Sequence, residues 1–505
     1  CGGERDKPKR KIMGGIANNY CDKIYLTDDN PRNENPKKIR NEIKTKINKL
    51  KLHEIPSRYF AIKTAIEKTR SDEIVIVAGK GHEIYQEYKR KKYFSDRDCI
   101  IKSIKEKNQN LNSNWKTNII EEALGRKLKK NTIINKACIN SKEVKKNNIF
   151  FGIKGKKKDG NKFANEAIKK GASVAIIDKN YGKKNSNKIK IKNCLNFFSN
   201  CSSIIRSSSN IIAIAITGSA GKTSLKELLG QSLNSIYKTS YSKKSFNNKY
   251  GVPVSLFNID KKDKYGVFEI GMDKKGEINN LSKIIKPNIG VITNISYAHI
   301  KNFKNLFGIA KAKSEIIDNI IENGTVVLNA DDKYYNYLKL KALKKKLKII
   351  SFSKKNNSNV KLEKIVSFKN ISTLKVNIFG KTKKFIVKRN IESYVENILA
   401  AIAVISDFLD SVNLSEKLFF NYKLPEGRGD VKYIKINNKK INFTDESYNS
   451  NPLSLKFSLE KFDKSHAKSK KKIILLGNML ELGKSSKKFH ISAAKVLNNT
   501  NIGKV

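Results

Sequence analysis

A segment near the middle of the chain could bind the phosphates of a nucleotide. The β-branched run Ile211–Thr217 leads into a glycine-rich loop, and a helical pattern follows it. The loop consists of Gly218, Ser219, Ala220, Gly221, Lys222, Thr223 and Ser224. Its glycines let backbone N–H groups approach phosphate oxygens, Lys222 can neutralise the β- and γ-phosphates, and the Thr223 hydroxyl can hold Mg²⁺. The loop is shorter than the G-x4-G-K-[ST] form, because Ile216 occupies the place of its first glycine.

Three polar residues downstream could complete a site for metal and phosphate. Glu269 lies in the apolar run VFEI, and His299 closes the segment VITNISYAH. Lys313 follows fourteen residues after His299 in the helical pattern IAKAKSEII. A carboxylate at a strand end can bind a metal directly or through water. Taken singly, a lone histidine is usually structural and Lys313 is one lysine among many.

Eight segments in order resemble one protein family, the ATP-dependent Mur ligases of peptidoglycan precursor synthesis. The segments are TGSAGKT, SFNNKYGVPVSL, FEIGMDKKGEI, NISYAH with AKAKSEI, VLNADD, EGRG, DESYNSNP and LGNMLELG. The last two are typical of the members that add D-alanyl-D-alanine. The resemblance runs from about Asn118 to Val505. It implies ATP and Mg²⁺ as cofactors, with UDP-MurNAc-tripeptide and D-Ala-D-Ala as substrates.

The resemblance also implies roles for individual residues. Lys313, chosen over Lys311 for its distance from His299, corresponds to a carbamylated lysine that holds a second Mg²⁺. Glu269 and His299 complete the metal environment, and Thr223 contributes its hydroxyl. The nucleotide contacts outside the loop are expected at Asn397 for adenine, Arg428 for phosphate and Asp445 for ribose. The substrate contacts are expected at Ser141, Asn247, Asn248, Tyr448, Asn449 and Asn451.

Two departures from the family pattern concern nucleotide contacts. Ser393-Tyr394 stand where the family has His-Asn before the helix of Asn397. In the region 118–206, which resembles the small uridine-nucleotide domain, Asn140-Ser141-Lys142 replace Asp-Ser-Arg and Asn161 replaces a histidine. Contact with UDP is therefore expected at Ser141 but is open for its neighbours.

The first hundred residues resemble a different part of the same family, the C-terminal domain of the members that add meso-diaminopimelate. The matching runs are CGGERDKPKR, TDDNPRNENP, AGKGHEIYQ and FSDRD. Arg5 and Arg32 can fork onto the distal carboxylate of that amino acid. Glu83 can pair with its ammonium group, the Gly79 backbone can approach it closely, and Asn30 belongs to the same DNPR run. Read alone, DNPR is equally a turn with a solvated arginine.

The elements that must position these residues are short β-branched runs alternating with amphipathic helical patterns, which predicts an α/β fold of parallel sheets. Candidate strands are 23–27, 73–78, 173–177, 211–217, 267–270, 289–293, 325–329 and 472–476. We expect a multi-domain Mur ligase architecture with a central P-loop ATPase domain flanked by smaller α/β domains. The expected boundaries are 1–104, a polar linker at 105–117, 118–207, 208–423 and an incomplete domain at 424–505.

Composition limits the other classes of function. The chain has 505 residues, 104 of them basic and 46 acidic, for a net charge of +58. Lysines are spread over every segment and arginine is scarce, which favours compositional bias over a nucleic-acid partner. Six scattered cysteines without a C-x-x-C pair argue against disulfides or a structural zinc site. No apolar run is long enough for a membrane span and no signal segment is present, so we expect a cytoplasmic protein.

The sequence thus predicts an ATP-dependent amide ligase joining D-Ala-D-Ala to UDP-MurNAc-tripeptide, preceded by the tail of a diaminopimelate-adding ligase. Because the chain begins at Cys1 and its pattern stops soon after LGNMLELG, we expect an excerpt of a longer polypeptide. The first piece has no P-loop of its own and is not expected to form tripeptide. Two alternatives stay open: a catalytically incomplete fragment of that fusion, and a basic P-loop ATPase that binds nucleic acid.

Overall fold

The computed structural model describes most of the chain. The described residues are 2–69, 73–80, 83–113, 115–129, 132–155, 157–181, 187–243, 245–410, 413–436, 439–448, 450–465, 472–500 and 502. The chain divides into two compact units, Cys1–Asn118 and Ile119–Val505. Within the described ranges, no helix is both long enough and apolar enough to cross a membrane.

In its described residues, the first unit combines four complete helices with two small sheets. The parallel pair is β1 and β2, and the antiparallel pair is β3 and β4. The elements in chain order are α1 Pro8–Tyr20, β1 Ile24–Leu26, α2 Pro36–Lys44, β2 Leu52–Glu54, α3 Arg58–Lys68, β3 Tyr85–Tyr88, β4 Arg90–Tyr93 and α4 Asp96–Ser113. Asn35 accepts a hydrogen bond from Lys37 N and Pro36 occupies the first turn of α2, so the helix begins where both residues favour a start.

Two sequence predictions concern this part of the chain. The polar segment 105–117, predicted as a linker, is helical where it is described, because α4 continues to Ser113 and α5 spans Trp115–Leu124. Lysine, glutamate and glutamine are good helix formers, so a helix can form there without an apolar stripe. The strand predicted at 73–78 is wrong, because these residues have no regular secondary structure.

A four-stranded parallel sheet opens the second unit. Its strands lie side by side in chain order: β5 Lys136–Cys138, β6 Asn148–Phe151, β7 Ala172–Asp178 and β8 Lys188–Ile191. The helices α6 Ala164–Lys169 and α7 Cys194–Ser207 accompany it. Phe151 stacks on Phe198 with ring centroids 4.1 Å apart, and both side chains are fully buried. This aromatic pair fixes α7 against the sheet.

The central sheet has nine strands in the order β10-β11-β9-β12-β13-β14-β15-β16-β17. The strands are β9 Ile212–Thr217, β10 Thr239–Tyr241, β11 Tyr265–Glu269, β12 Ile289–Ile292, β13 Thr325–Asn329, β14 Lys348–Ser353, β15 Val360–Phe368, β16 Ile371–Ile378 and β17 Lys381–Lys388. Neighbours from β10 to β15 pair in parallel, as the sequence predicts. The last two pairings are antiparallel, which the sequence pattern did not predict.

Helices cover both faces of this sheet and bury an apolar core. They are α8 Lys222–Asn234, α9 Gly251–Phe257, α10 Glu277–Ile285, α11 Leu306–Lys313, α12 Glu315–Asp318, α13 Tyr335–Lys344 and α14 Val395–Ile405. The strand β9 is buried almost throughout, which is typical of a parallel strand covered on both faces. The α/β fold with a central parallel sheet is therefore confirmed.

The last part of the chain forms a hairpin followed by two helices. The elements are β18 Asp430–Ile436, β19 Lys439–Asp445, α15 Pro452–Ser465 and α16 Ser486–Asn498. The strand predicted at 472–476 is wrong, since only an isolated bridge position occurs at Ile473. The EGRG segment before β18 is a turn, as expected for a junction.

Candidate active site

The carboxyl ends of the central strands place the predicted catalytic residues at one edge of the sheet. Thr217 ends β9, and Glu269 ends the neighbouring strand β11. On the other side, Ile292 ends β12 directly opposite Thr217. Ligands of parallel α/β sheets bind beyond this edge, where the strand order changes direction. The strand β9 lies at such a point, because β11 and β12 flank it on opposite sides.

The glycine-rich loop is held by the segment that follows β12. Gly218 has a φ of 151°, and a Cβ at this position would overlap Thr293 Oγ1. Asn294 accepts a hydrogen bond from Ala220 N at 2.9 Å, and Ser219 Oγ donates to Ser296 O at 2.9 Å. The loop is therefore preformed, and α8 begins directly after it at Lys222. This local arrangement agrees with the predicted phosphate loop.

Two lysines converge on one carbonyl oxygen of the loop. Lys222 Nζ and Lys313 Nζ each donate to Gly218 O at 2.9 Å. Burial lowers the pKa of Lys222, although Glu269 opposes that shift. Burial and the charge of Lys222 hold the pKa of Lys313 well below its usual range. Burial therefore disfavours the charged form of both amines, and an anion placed beside them would stabilise it.

A chain of hydrogen bonds links the helix α8 to the buried carboxylate of Glu269, whose exposed fraction is only 1%. Thr223 Oγ1 donates to Glu269 Oε2 at 2.8 Å, and Asn247 Nδ2 donates to Glu269 Oε1 at 2.8 Å. Arg428 Nη2 in turn donates to Thr223 Oγ1 at 3.1 Å. A hydroxyl beside a carboxylate provides the hard oxygen ligands that Mg²⁺ prefers, so these residues fit the predicted metal.

Two further contacts, besides the hydrogen bond to Thr223, hold Arg428 in place. Its guanidinium lies 4.6 Å from the ring centroid of Tyr448, and its backbone carbonyl accepts from Tyr394 OH at 2.6 Å. Tyr448 OH donates to Ser245 Oγ at 2.5 Å. Through these contacts the segments around residues 428 and 448 reach the loop that precedes α9. Tyr448 thus lies against Arg428 and Ser245, and its role as a substrate contact stays a prediction.

His299 lies among charged groups of both signs. Its backbone is left-handed, with a φ of 58°, and its Nδ1 lies 3.2 Å from Asp273 Oδ1 and in contact with Glu481 Oε2. Burial lowers its pKa, Glu481 opposes this shift, and the nearby Lys222 and Lys313 add to it. The charges of both lysines therefore reach the histidine, and its role in a metal environment stays a prediction.

Other predicted residues have clear local roles in the structure. Asn397 Nδ2 donates to Gly221 O at 3.4 Å, which places the amide beside the loop. Asn248 accepts from Gly251 N at 3.0 Å and so caps α9, and Asn451 accepts from Ser454 N at 2.9 Å at the start of α15. Ser141 Oγ donates to Glu166 at 3.1 Å. Asn449 lies outside the described residues.

Asp445 accepts two hydrogen bonds from a single neighbour. Ser447 N and Ser447 Oγ donate to its Oδ1 at 3.0 and 2.6 Å. These bonds lower the pKa of Asp445, so the carboxylate is charged at neutral pH. A charged carboxylate can accept from sugar hydroxyls, and the predicted ribose contact stays a prediction.

In the first unit, most of the predicted diaminopimelate residues form one cluster. Asn30 Nδ2 donates to Glu83 Oε2 at 2.6 Å, and Asn30 Oδ1 accepts from Glu87 N at 3.0 Å and from the buried Lys80 at 3.5 Å. Arg32 Nη1 donates to Gly3 O at 2.6 Å. The amide of Asn30 thus has a fixed orientation.

The remaining two members of the diaminopimelate set lie nearby. A Cβ built on Gly2 would be 3.4 Å from Arg32 Nη1 and 3.9 Å from Arg5 Cγ, so both arginines flank Gly2. Gly79 has a φ of 118°, a backbone conformation that favours glycine. A Cβ on Gly79 would lie 3.6 Å from Asp29 Oδ2.

Two residues that sequence reasoning missed help to build the site. Asn294 binds the loop backbone at Ala220, and Glu315 accepts from Gly276 N at 2.8 Å and from Asn279 N at 3.0 Å. Glu315 therefore caps the start of α10, which follows the strand of Glu269. Both lie inside motifs already recognised, NISYAH and AKAKSEI, and their polar character beside apolar neighbours was the available signal.

Three family models match successive parts of the chain. The model described as Mur ligase, glutamate ligase domain, matches residues 1–81. The model described as Mur ligase family, catalytic domain, matches residues 134–217, and the Mur ligase middle domain matches residues 216–405. The models therefore cover most of the first unit and most of the second.

Curated relatives match the second unit. A UDP-N-acetylmuramoyl-tripeptide–D-alanyl-D-alanine ligase of Rickettsia prowazekii is 32% identical over 74% of this chain and 83% of its own length. The ligase of the same name from Buchnera aphidicola subsp. Baizongia pistaciae is 33% identical over 71% of this chain and 76% of its own length.

Among solved structures, MurF of Acinetobacter baumannii has a TM-score of 0.66 at 24% identity, covering 77% of this chain and 84% of its own, and supports the fold. MurF ligase of Thermotoga maritima in complex with ADP has a TM-score of 0.63 at 25% identity, covering 72% of this chain and 82% of its own. The site geometry, the three family models and the curated relatives agree. The chain belongs to the Mur ligase family.

Proposed function

We propose that the second unit joins D-Ala-D-Ala to UDP-MurNAc-tripeptide at the expense of ATP. The observation that carries this proposal is the convergence of Lys222 and Lys313 on Gly218 O, beside the Thr223–Glu269 pair. Relatives that bear the name of this reaction are identical to the chain at about a third of the aligned residues. The similar MurF ligase of Thermotoga maritima was solved in complex with ADP, which supports the same nucleotide class.

The proposed reaction has three steps. The tripeptide carboxylate attacks the γ-phosphorus of ATP, the bond to the β,γ-bridging oxygen breaks, and an acyl phosphate and ADP result. The amine of D-Ala-D-Ala then attacks the acyl carbon and gives a tetrahedral intermediate. This intermediate expels phosphate, the amine loses its proton, and the amide remains. Lys222 and the backbone N–H groups of the loop stabilise charge on the transferred phosphoryl group.

Thr223 and Glu269 are the residues that would hold Mg²⁺, which neutralises phosphate charge when it is bound. Arg428 adds a positive charge at the same hydroxyl, 3.1 Å away. We propose that Asn397 contacts adenine, Asp445 ribose and Arg428 phosphate. Ser141, Asn247, Asn248, Tyr448, Asn449 and Asn451 form the proposed substrate set.

For Lys313 we propose carbamylation. Burial holds the pKa of this amine well below its usual range, which favours the neutral form that attacks CO₂. The nitrogen of the neutral amine forms a bond to the carbon of CO₂ and releases one proton, so a neutral side chain becomes an anionic one. An anion at this position would complement Lys222 instead of repelling it, and with His299 nearby it provides a further metal ligand.

The first unit is proposed to be the C-terminal domain of a ligase that adds meso-diaminopimelate, fused ahead of the second unit. The match of the glutamate ligase domain model to residues 1–81, before the catalytic and middle domain models, supports this order. The cluster of Asn30, Glu83 and Arg32 offers an acceptor and a donor for the two ends of an amino acid. The proposed domains are those expected from the sequence. The linker at 105–117 is formed by the end of α4 and the start of α5.

The experiment is an assay of the whole chain with Mg-ATP, UDP-MurNAc-tripeptide and D-Ala-D-Ala. Phosphate release and the mass of the muramoyl product are followed together. We expect one phosphate to be released for each amide formed. No phosphate should be released when either UDP-MurNAc-tripeptide or D-Ala-D-Ala is omitted. L-Ala-L-Ala serves as the matched control for the dipeptide. ATP hydrolysis that is indifferent to both substrates would contradict the proposal and favour a catalytically incomplete fragment.

A further inference from the structure

The segment after β12 contacts the last part of the chain around Lys301. Lys301 N donates to Glu481 O at 3.3 Å, and Lys301 Nζ lies 3.5 Å from Glu481 Oε1. A Cβ on the neighbouring Gly483 would lie 3.1 Å from Lys301 Cβ. A backbone hydrogen bond and close packing therefore dock the LELG segment here, independently of the Glu481 side chain.

The two residues that face each other at this point both have left-handed backbones. His299 has a φ of 58° and Glu481 a φ of 66°. This conformation is uncommon for residues other than glycine and persists only where the surrounding structure holds it. Histidine adopts it more readily than most residues, but glutamate does not. The left-handed backbone of Glu481 therefore indicates that the surrounding structure holds this residue in place.

The carboxylate of Glu481 lies against one particular atom of His299. Its Oε2 is in ion-pair contact with Nδ1, which makes no hydrogen bond in the part of the chain that the structure describes, and its other oxygen faces Lys301. Asp273 Oδ1 also lies 3.2 Å from Nδ1, but Asp273 is mostly exposed, with 64% of its side chain accessible, against 35% for Glu481. Negative charge at Nδ1 favours a proton on that nitrogen. The lone pair of the imidazole is then on Nε2.

We propose that Glu481 is a positioning residue, which orients the His299 ring and fixes its proton on Nδ1. This inference rests on the proposed function, because it assigns the free Nε2 to the phosphate and metal site. Carboxylates that orient a metal-binding histidine in this way are a general feature of metal sites. Here the carboxylate comes from the C-terminal part of the chain, so the orientation of the histidine depends on the docking of LELG.

Kinetics of the full chain provide the first test, with Glu481→Gln as the variant. We expect kcat to fall by roughly 10- to 100-fold, with KM values for ATP, the UDP substrate and D-Ala-D-Ala nearly unchanged. Lys301→Ala is the matched control, because Lys301 contacts the same carboxylate but not His299. It should change kcat by less than about twofold. In a His299→Asn background, Glu481→Gln should have no further effect on kcat.

Nuclear magnetic resonance of ¹⁵N-histidine-labelled protein provides a test that needs no substrate. The chain has only five histidines, and the signals of His299 are identified by their loss in His299→Asn. We expect a proton on Nδ1 in the unaltered protein and in Lys301→Ala. In Glu481→Gln we expect a shift of the proton towards Nε2, because the less exposed of the two carboxylates at Nδ1 loses its charge and only Asp273 remains.

The two tests separate this inference from the proposed function. If the unaltered chain forms no amide but its histidine responds to Glu481→Gln, the positioning role holds and the proposed function fails. If the chain is active and neither kcat nor the histidine signals change in Glu481→Gln, the positioning role is overturned and the function stands. An equal loss of kcat in Lys301→Ala would also overturn it, because docking alone would then explain the effect.

Discussion

Lys222 and Lys313 donate hydrogen bonds to the same oxygen, the carbonyl of Gly218, at 2.9 Å each. A carbonyl oxygen has two lone pairs, so both bonds can form, but two buried ammonium groups so close together repel each other. Burial lowers the pKa of both amines, and the charge of Lys222 adds to the shift at Lys313. The pair is set to receive an anion, which relieves the repulsion and accepts the hydrogen bonds.

Replacement of Lys222 by alanine should abolish ATP-dependent ligation while the fold persists. The charge that stabilises the transferred phosphoryl group is lost, which typically costs a hundredfold or more, or about 3 kcal/mol. Phosphate release measures the activity, and circular dichroism with thermal unfolding measures the fold. The exposed Lys238, replaced by alanine, is the control. Wild-type turnover in Lys222→Ala would contradict the assignment of the phosphate loop.

Replacement of Arg32 by alanine should weaken the binding of meso-diaminopimelate to the chain. One of two arginines that can fork onto its distal carboxylate is then lost. Saturation-transfer nuclear magnetic resonance with meso-diaminopimelate and with lysine, which lacks this carboxylate, measures the preference. We expect the unaltered chain to prefer diaminopimelate and the variant to lose the preference. Equal binding of both amino acids by the unaltered chain would refute the recognition argument.

Acid should destabilise the first unit through Glu34. The hydrogen bonds from Arg10 and from the backbone of Glu4 lower the pKa of Glu34 from 4.5 to about 2. Between pH 4.5 and about 2 the unfolded chain binds more protons than the folded one. The contribution of Glu34 to the free energy of unfolding is therefore complete above pH 4.5. It is lost as the pH falls through about 2.

Hydrogen exchange of residues 2–44 compares Glu34→Gln with the unaltered chain at each pH. The difference in protection between the two proteins should be largest above pH 4.5. It should disappear as the pH falls towards about 2. A gap that is independent of pH would show that the ion pair with Arg10 contributes nothing through titration.

Thermal shifts at about 0.15 M salt should separate nucleotide ligands from nucleic acid. UDP-MurNAc-tripeptide and Mg-ATP should raise the unfolding temperature, because they bind only the folded chain. Duplex DNA should have little effect, since diffuse lysine contacts are screened at a Debye length of about 8 Å. The uridine-nucleotide shift is the primary measurement. A large shift with DNA and none with the other ligands would favour the nucleic-acid-binding ATPase.

The phosphate loop was predictable because its signal is local. Gly218 and Gly221 have the positive φ values that favour glycine, and the strand and helix around them follow directly in sequence. Glu269 was predictable because the carboxyl ends of parallel strands share one edge. The proximity of Lys313 to the loop came from the family resemblance. Its hydrogen bond to Gly218 joins residues 95 positions apart, and no local pattern encodes such a contact.

Other features could not be predicted from apolar periodicity. The helix α4 is polar over its second half, so it lacks the stripe by which helices are usually recognised. The strand β16 alternates between buried and partly exposed residues, which is typical of an antiparallel strand. Because parallel sheets were expected, this alternation was not interpreted as an antiparallel strand. The side-chain oxygens of Asn248 and Asn451 accept from backbone N–H groups at the starts of helices, a short-range role that the sequence analysis did not predict, and their substrate contacts stay predictions.

The hydroxyl of Thr223 has one proton, and that proton is already committed to Glu269. Its oxygen also accepts from Arg428, which belongs to the C-terminal part of the chain. A hydroxyl oxygen has two lone pairs, so it can accept from Arg428 and still offer the second lone pair to a cation. A cation bound there would lie beside the guanidinium on one oxygen, and because like charges repel each other, Thr223 would couple metal binding to the position of this arginine.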